Sequence, residues 1–216
     1  MTLSRSLKGE VLDRAYTIRD SMRYEVVITC ALDGRYNRAP IGIYFKDNWV
    51  KLHLYEGSHT YDILKREDYF VVNITSPYLI AQSVYDDKGD YSTIEYSDII
   101  LPYLSDAYKI YVVKIVKRRL VDLRDEYGDS KLMVIQGRIL LERDINNPPL
   151  MPYSRADGLI VEMAVLYSRL NIVDREKREE MVKRMEEYFK IIKKVGDERY
   201  IRLGEKFLKS KSPTIL

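Results

Sequence analysis

Cysteine is all but missing from this chain of 216 residues: Cys30 stands alone. A lone thiol closes no internal disulfide and builds no zinc site by itself, so a reducing cytoplasm is the simplest compartment to expect. Histidine is as scarce. His53 and His59 fall on different predicted elements, and no cysteine or carboxylate cluster completes a metal-ligand spacing beside them, so no metal is expected. No uncharged run approaches the roughly 18 apolar residues of a transmembrane helix. The opening MTLSRSLKGEVLDRAY lacks an apolar core of signal-peptide length, and no membrane partner is expected. Gly-x-Gly-x-x-Gly and Gly-Lys-Ser/Thr are both absent, so neither a Rossmann nor a P-loop nucleotide site is indicated. Without a Gly-x-Ser-x-Gly elbow, a Ser-His-Asp triad has no support. An excess of one charge is missing too: 36 Lys plus Arg face 33 Asp plus Glu, a formal charge of +3. A polyanion binder carries a stronger basic excess, so nucleic acid is not an expected partner.

What remains is a well-solvated globular composition, 46% hydrophobic and 32% charged. The length fits one domain or one domain with a small appendage. A chain of this size buries roughly 70% of its unfolded surface and needs no covalent staple. Tyrosine is abundant, 19 against 4 Phe and 1 Trp, and composition supplies no mechanism for that excess.

The chain reads as strands first and helices last. From Tyr24 to Leu32 alternate residues are apolar (Tyr24, Val26, Ile28, Cys30, Leu32), the mark of a half-buried strand. Asp33-Gly34 is a hairpin turn signal. A second strand, Ala39 to Lys46, and a third, Trp49 to Tyr55, continue an antiparallel meander. Gly57-Ser58 opens a short helix over His59 to Arg66. Tyr69 to Thr75 is a fourth strand, and Ser76-Pro77 starts another helix. Residues 86–106 are polar, tyrosine-rich and without period, and read as a long excursion. Two longer strands, Lys109 to Asp122 and Lys131 to Arg143, flank a loop over 124–129. Six strands at this spacing predict a mainly β protein with α: a six-stranded antiparallel barrel. Beyond Pro148-Pro149 the period becomes helical. Ser154 and Asp157 form a capping-box-like start, a second helix begins near Asp174, and Gly196 is its expected C-terminal cap. This divides the chain into a barrel over 1–147 and a helical subdomain over 148–216, packed on the barrel or on a partner subunit.

Three places carry candidate chemistry. Gly57-Ser58-His59-Thr60 joins a strand to a helix, where unpaired N–H groups, two hydroxyls and an imidazole suit a phosphate. Equally, Ser58 caps the helix, and Asp62 in the same turn speaks for the cap. Asn37-Arg38-Ala39-Pro40-Ile41-Gly42 enters the second strand. Small residues at Ala39 and Gly42 admit a flat ring against backbone, while Pro40 also fits an ordinary edge strand. Arg155, in Tyr153-Ser154-Arg155, reaches a phosphate or carboxylate bidentately or pairs with Asp157 at the surface. Asn73 interrupts an apolar strand, and its amide needs backbone or ligand partners. Lys117-Arg118-Arg119 reads as a solvated strand edge.

Taken in order, DGRYNRAPIG, KLHLYEGSHTYDIL and DYFVVNIT resemble the FMN-binding split β-barrel of the flavin reductase-like proteins. YSRADGLIVEMAVLYSRL matches an archaeal branch of uncharacterised proteins within that group. The resemblance implies the split form of the barrel with a C-terminal helical segment, non-covalent FMN, and a homodimer with flavin at the subunit interface. It places the phosphate at Gly57, Ser58 and Thr60, with His59 where a basic residue is common. The ring would lie along Ala39, Pro40, Ile41 and Gly42. Asn37 and Asn73 would address ring or ribityl oxygens, and Arg155 the phosphate or the dimer seam. The implied activity is electron transfer from a reduced nicotinamide or deazaflavin, with no catalytic acid or base named. A non-catalytic carrier of flavin or another phosphorylated ligand is the alternative.

Overall fold

The computed structural model describes residues 23–86, 88–125, 128–148 and 154–210. Strands β1 (Arg23–Leu32), β2 (Arg35–Lys46) and β3 (Trp49–Tyr55) form the expected meander, followed by helix α1 (His59–Leu64) and strand β4 (Tyr69–Ile74). Helix α2 (Pro77–Tyr85), strands β5 (Tyr91–Tyr96) and β6 (Ile99–Leu104), and the long strands β7 (Lys109–Asp125) and β8 (Gly128–Asp144) come next. Six strands close into an antiparallel barrel in the order β1-β2-β3-β8-β7-β4. Closure removes most of the exposed edge that a sheet of this size would otherwise present.

Two features depart from the sequence reading. Residues 86–106 are not a structureless excursion, because β5 and β6 pair as a separate two-stranded sheet. Its turn, Ser97-Asp98, has positive φ at both residues (45° and 66°) without glycine, and Pro102 sits inside β6, so both usual signals were muted. The loop expected over 124–129 is narrower, since ladder pairing continues to Asp125↔Gly128.

The hairpin lies on the outside of the barrel. Val26, Ile28, Leu52, Leu54, Phe70 and Ile135 fill the interior, whereas Val27, Val71, Ile110 and Val112 face outward beneath Ile94, Leu101 and Leu104 of the hairpin. Strands β1 and β4 are therefore buried on both faces, which accounts for the unbroken apolar run at the start of β4. Cys30 belongs to the interior, and burial pushes its thiol up to about 12. At pH 8 the thiolate fraction falls roughly a thousandfold relative to an unperturbed thiol. Cys30 should resist a thiol reagent such as DTNB in the folded protein and react once urea unfolds it. Rapid reaction in native buffer contradicts this burial.

The helical tail consists of α3 (Arg155–Arg169), α4 (Arg175–Val195) and α5 (Glu198–Lys209). It packs on α2: Ala81 joins Ile160, Met163, Met185, Leu203 and Phe207 in one cluster. Tyr85, Tyr167 and Phe207 meet there with ring centroids 5.0–6.2 Å apart, an amphipathic use for three of the aromatics. The helix expected to begin near Asp174 does so: Asp174 caps α4 by accepting the Lys177 N–H at 2.8 Å. Ser154 caps α3, but Asp157 closes no reciprocal box; its carboxylate accepts a hydrogen bond from the Tyr200 hydroxyl instead. Gly196 does terminate α4, though with extended backbone (φ −92°) rather than a left-handed cap. Space selects glycine there: a Cβ would lie 2.9 Å from the Ile192 carbonyl oxygen and 3.0 Å from Tyr200 Cβ.

Candidate functional site

The barrel is closed by hydrogen bonds, yet β2 and β3 part company along their length. Their pairing runs only from Ile43↔Leu52 to Lys46↔Trp49. Upstream, residues 35–42 of β2 pair with β1 on one side, and among the described residues no strand pairs with their other side. Short helix α1 plugs this opening, burying Thr60, Tyr61, Ile63 and Leu64. The amphipathic run Thr60-Tyr61-Asp62-Ile63-Leu64 thus turns its apolar side into the barrel and leaves Asp62 exposed.

Two of the three candidate places meet in this split. Asn37, the third residue of the unpaired stretch, donates from Nδ2 to Thr60 Oγ1 at 2.8 Å and to Cys30 Sγ at 4.0 Å. Both polar side chains are buried, Asn37 at 6% exposure and Thr60 at 1%. A buried amide without such a partner costs about 1–3 kcal/mol, so this pair locks the start of α1 to β2. Ser58 is the cap of α1. Its oxygen accepts the Tyr61 N–H at 3.2 Å while its hydroxyl donates to the Tyr55 carbonyl at 3.1 Å. Gly57 carries φ +91°, a conformation that glycine adopts without strain, and space around its missing side chain is open. His59 is exposed at the rim.

The pleat divides β2 between two surfaces. Asn37, Ala39 and Ile41 share the interior face with Ile43 and Phe45, while Arg38, Pro40 and Gly42 face outward. Over Gly42 lies the Arg23 guanidinium, whose Nε is 1.8 Å from where a Cβ would stand. Arg23 is half-exposed, so a ring resting on Gly42 requires this flexible side chain to swing aside. Nearby His53 is half-buried, and burial, then Lys51 and Arg23, lower its pKa below the ordinary histidine value.

The other two predicted residues lie elsewhere. Asn73 faces outward, not into the split, because its partners across the ladder are Val27 and Ile110 of the outer layer. Its amide is committed to Val27, Thr29 and Leu104, so of the two kinds of partner left open for it, the structure shows those within the protein. Arg155 is exposed at the start of α3, whose main packing partners are α2, α4 and α5. No hydrogen bond or shared cluster joins it to the split among the described residues. A cavity of about 310 Å³ also opens on the outer face, between Arg38, Leu79, Gln82, Lys88 and Asp106. Arg38 is buried there and donates from Nε to the Asp86 carbonyl at 3.1 Å. Sequence reading passed over it because Arg38 sits between two site candidates that the pleat turns the other way. Among the described residues no group of histidine, cysteine or carboxylate side chains is placed to hold a metal ion, and no helix is long and apolar enough to cross a membrane.

A closed antiparallel barrel, opened between two of its strands and plugged there by a short helix, is a split β-barrel. The chain belongs to the family described as Protein of unknown function (DUF447), whose N-terminal domain matches residues 24–146 and whose C-terminal part matches 154–208. It is 45% identical over 190 residues to an uncharacterised protein of Methanocaldococcus jannaschii, covering 86% of this chain and 96% of that one. In structure it is similar to an FMN-bound protein of the same family from Methanosarcina mazei, with a TM-score of 0.75. That likeness covers 90% of this chain and 97% of the other at 21% sequence identity, and it is a likeness of fold.

Proposed function

We propose that this protein binds FMN non-covalently in the split between β2 and β3 and works as a flavin-dependent oxidoreductase, with the flavin at a homodimer interface. The observation that carries this reading is the meeting of Asn37 and Thr60. It sets the turn 57–60 against the unpaired stretch 37–42, one suited to a phosphate and the other to a ring. The FMN-bound family member from Methanosarcina mazei supports the choice of ligand.

Each residue then has a task. The Ser58 and Thr60 hydroxyls and the open turn at Gly57 take the phosphate, with His59 exposed at the rim. Asn37 sets the Thr60 hydroxyl through its amide. The unpaired backbone edge of β2 from Ala39 to Gly42 lies alongside the ring, with Pro40 and Gly42 on its outer face once Arg23 has moved from Gly42. Arg155 serves the partner subunit's phosphate or the dimer seam. When bound, FMN supplies the electron-transfer chemistry, and the protein supplies orientation and hydrogen bonds.

The test is direct. Purified full-length protein should carry a yellow chromophore near about 450 nm, or acquire it from FMN at one per chain, and run as a dimer in size-exclusion chromatography with light scattering. Bleaching by NAD(P)H or a reduced deazaflavin supports turnover, while colour without bleaching by either donor favours a flavin carrier. A preparation that stays colourless in excess FMN overturns the reading.

A further inference from the structure

Lys117 and Arg119 are exposed, as a solvated strand edge implies, but Arg118 between them is half-buried. Pairing of β7 with β8 shifts register between Ile115↔Gly137 and Lys117↔Gln136, leaving Val116 as an extra, exposed residue. Such a bulge reverses the in-out alternation beyond it and re-aims the side chains that follow. Arg118 therefore stands opposite Ile135, a residue of the barrel interior, and points at the end of the barrel that α1 plugs. There Nε donates to the Leu64 carbonyl at 2.8 Å, and Nη2 donates to the Glu67 carbonyl at 2.7 Å and to Asp68 Oδ1 at 2.8 Å.

Those acceptors are the end of α1 and the turn that follows it. A helix of six residues is far below the length that is stable in isolation, and its last carbonyls have no partners within the helix. A guanidinium satisfies them in a fixed plane and places a cation at the helix's negative end. At the other end the Asn37 amide holds Thr60. We propose that Arg118 is a positioning residue of the mononucleotide site: it clamps the far end of α1 and so fixes the turn 57–60 that receives the phosphate. The proposal rests on the flavin reading above. Arg118 touches no ligand and acts through α1 alone. Lysine cannot replace it, since one ammonium group does not span three acceptors in a plane.

The experiment compares FMN with riboflavin, which has the same ring and no phosphate. Dissociation constants of both are measured for flavin-free wild-type protein, R118A and R118K. The wild type should prefer FMN. R118A should weaken FMN by about tenfold and riboflavin by less than about twofold, and R118K should fall between. Equal weakening of both flavins reveals a merely structural role and overturns the proposal, as does unchanged FMN affinity. If R118A fails to fold, R118K decides by the same ratio. A wild type that binds both flavins equally overturns the phosphate assignment and with it the role of Arg118. A wild type that binds neither overturns the flavin reading itself. A wild type that prefers FMN while the variants prefer it as strongly overturns this proposal alone.

Discussion

Asn73→Ala should destabilise the protein by about 3 kcal/mol and free the β5–β6 hairpin before the barrel itself opens. Asn73 is fully buried. Its Nδ2 donates to the Val27 carbonyl at 3.1 Å and to Thr29 Oγ1 at 3.0 Å, and its Oδ1 accepts the Leu104 N–H at 2.8 Å. Thr29 in turn donates to the Pro102 carbonyl. One amide thus ties β1 and β4 to the strand laid across them. Truncation leaves the Leu104 N–H buried without its acceptor, at about 1–3 kcal/mol, and adds a cavity that the flanking strands cannot close. Urea denaturation gives the global loss, and amide exchange at Leu101 to Leu104 should accelerate more than exchange in β3. FMN affinity should hold, because the side chain faces away from the split. A loss below about 1 kcal/mol, or a selective loss of flavin, contradicts the placement of Asn73.

Replacing Ser58 and Thr60 together by alanine should cost flavin and stability at once. Ser58→Ala removes an N-cap, about 1 kcal/mol. Thr60→Ala strips the buried Asn37 amide of its 2.8 Å acceptor, another 1–2 kcal/mol or so. The two changes share one helix turn and so will not simply add, giving about 2–3 kcal/mol in all. FMN affinity should drop about a hundredfold, through lost phosphate donors and a loosened α1. The hydroxyls cannot be deleted with the fold untouched, because the same atoms that suit a phosphate already hold the helix. Thr60→Ser, which keeps the hydroxyl, should restore most of both effects, read by thermal melting and by titration of flavin-free protein. FMN retention at the wild-type level in the double variant, with a lowered melting temperature, refutes the phosphate assignment and leaves the cap intact.

Much of the barrel was legible because its strands signal locally. β1 announces itself by alternation, Asp33-Gly34 by its turn chemistry, and α4 by the Asp174 cap and a helical period. β5 and β6 were missed for an equally local reason: a turn without glycine, a proline inside a strand, and tyrosines that blur the polar-apolar contrast. Asn73 was identified as a polar break in an apolar run, but which way its amide points was not legible. A strand covered on both faces has no alternation from which a facing can be inferred. The inward turn of Arg118 was not legible, because a single bulged residue reverses every facing after it, and Val116 looks like any other strand valine.

Residue chemistry along the chain was enough to establish a strand-rich barrel with a helical tail, a buried lone thiol, and a polar turn next to a small-residue strand. Periodicity and turn preference are short-range properties, and neighbours in sequence reveal them. Which polar groups meet is a long-range matter. Asn37 and Thr60 are 23 positions apart, and they touch because β2 leaves β3 at Ile43 and a six-residue helix fills the gap. Where a strand leaves its neighbour is decided by the tilt and stagger of the whole barrel, which no single segment carries.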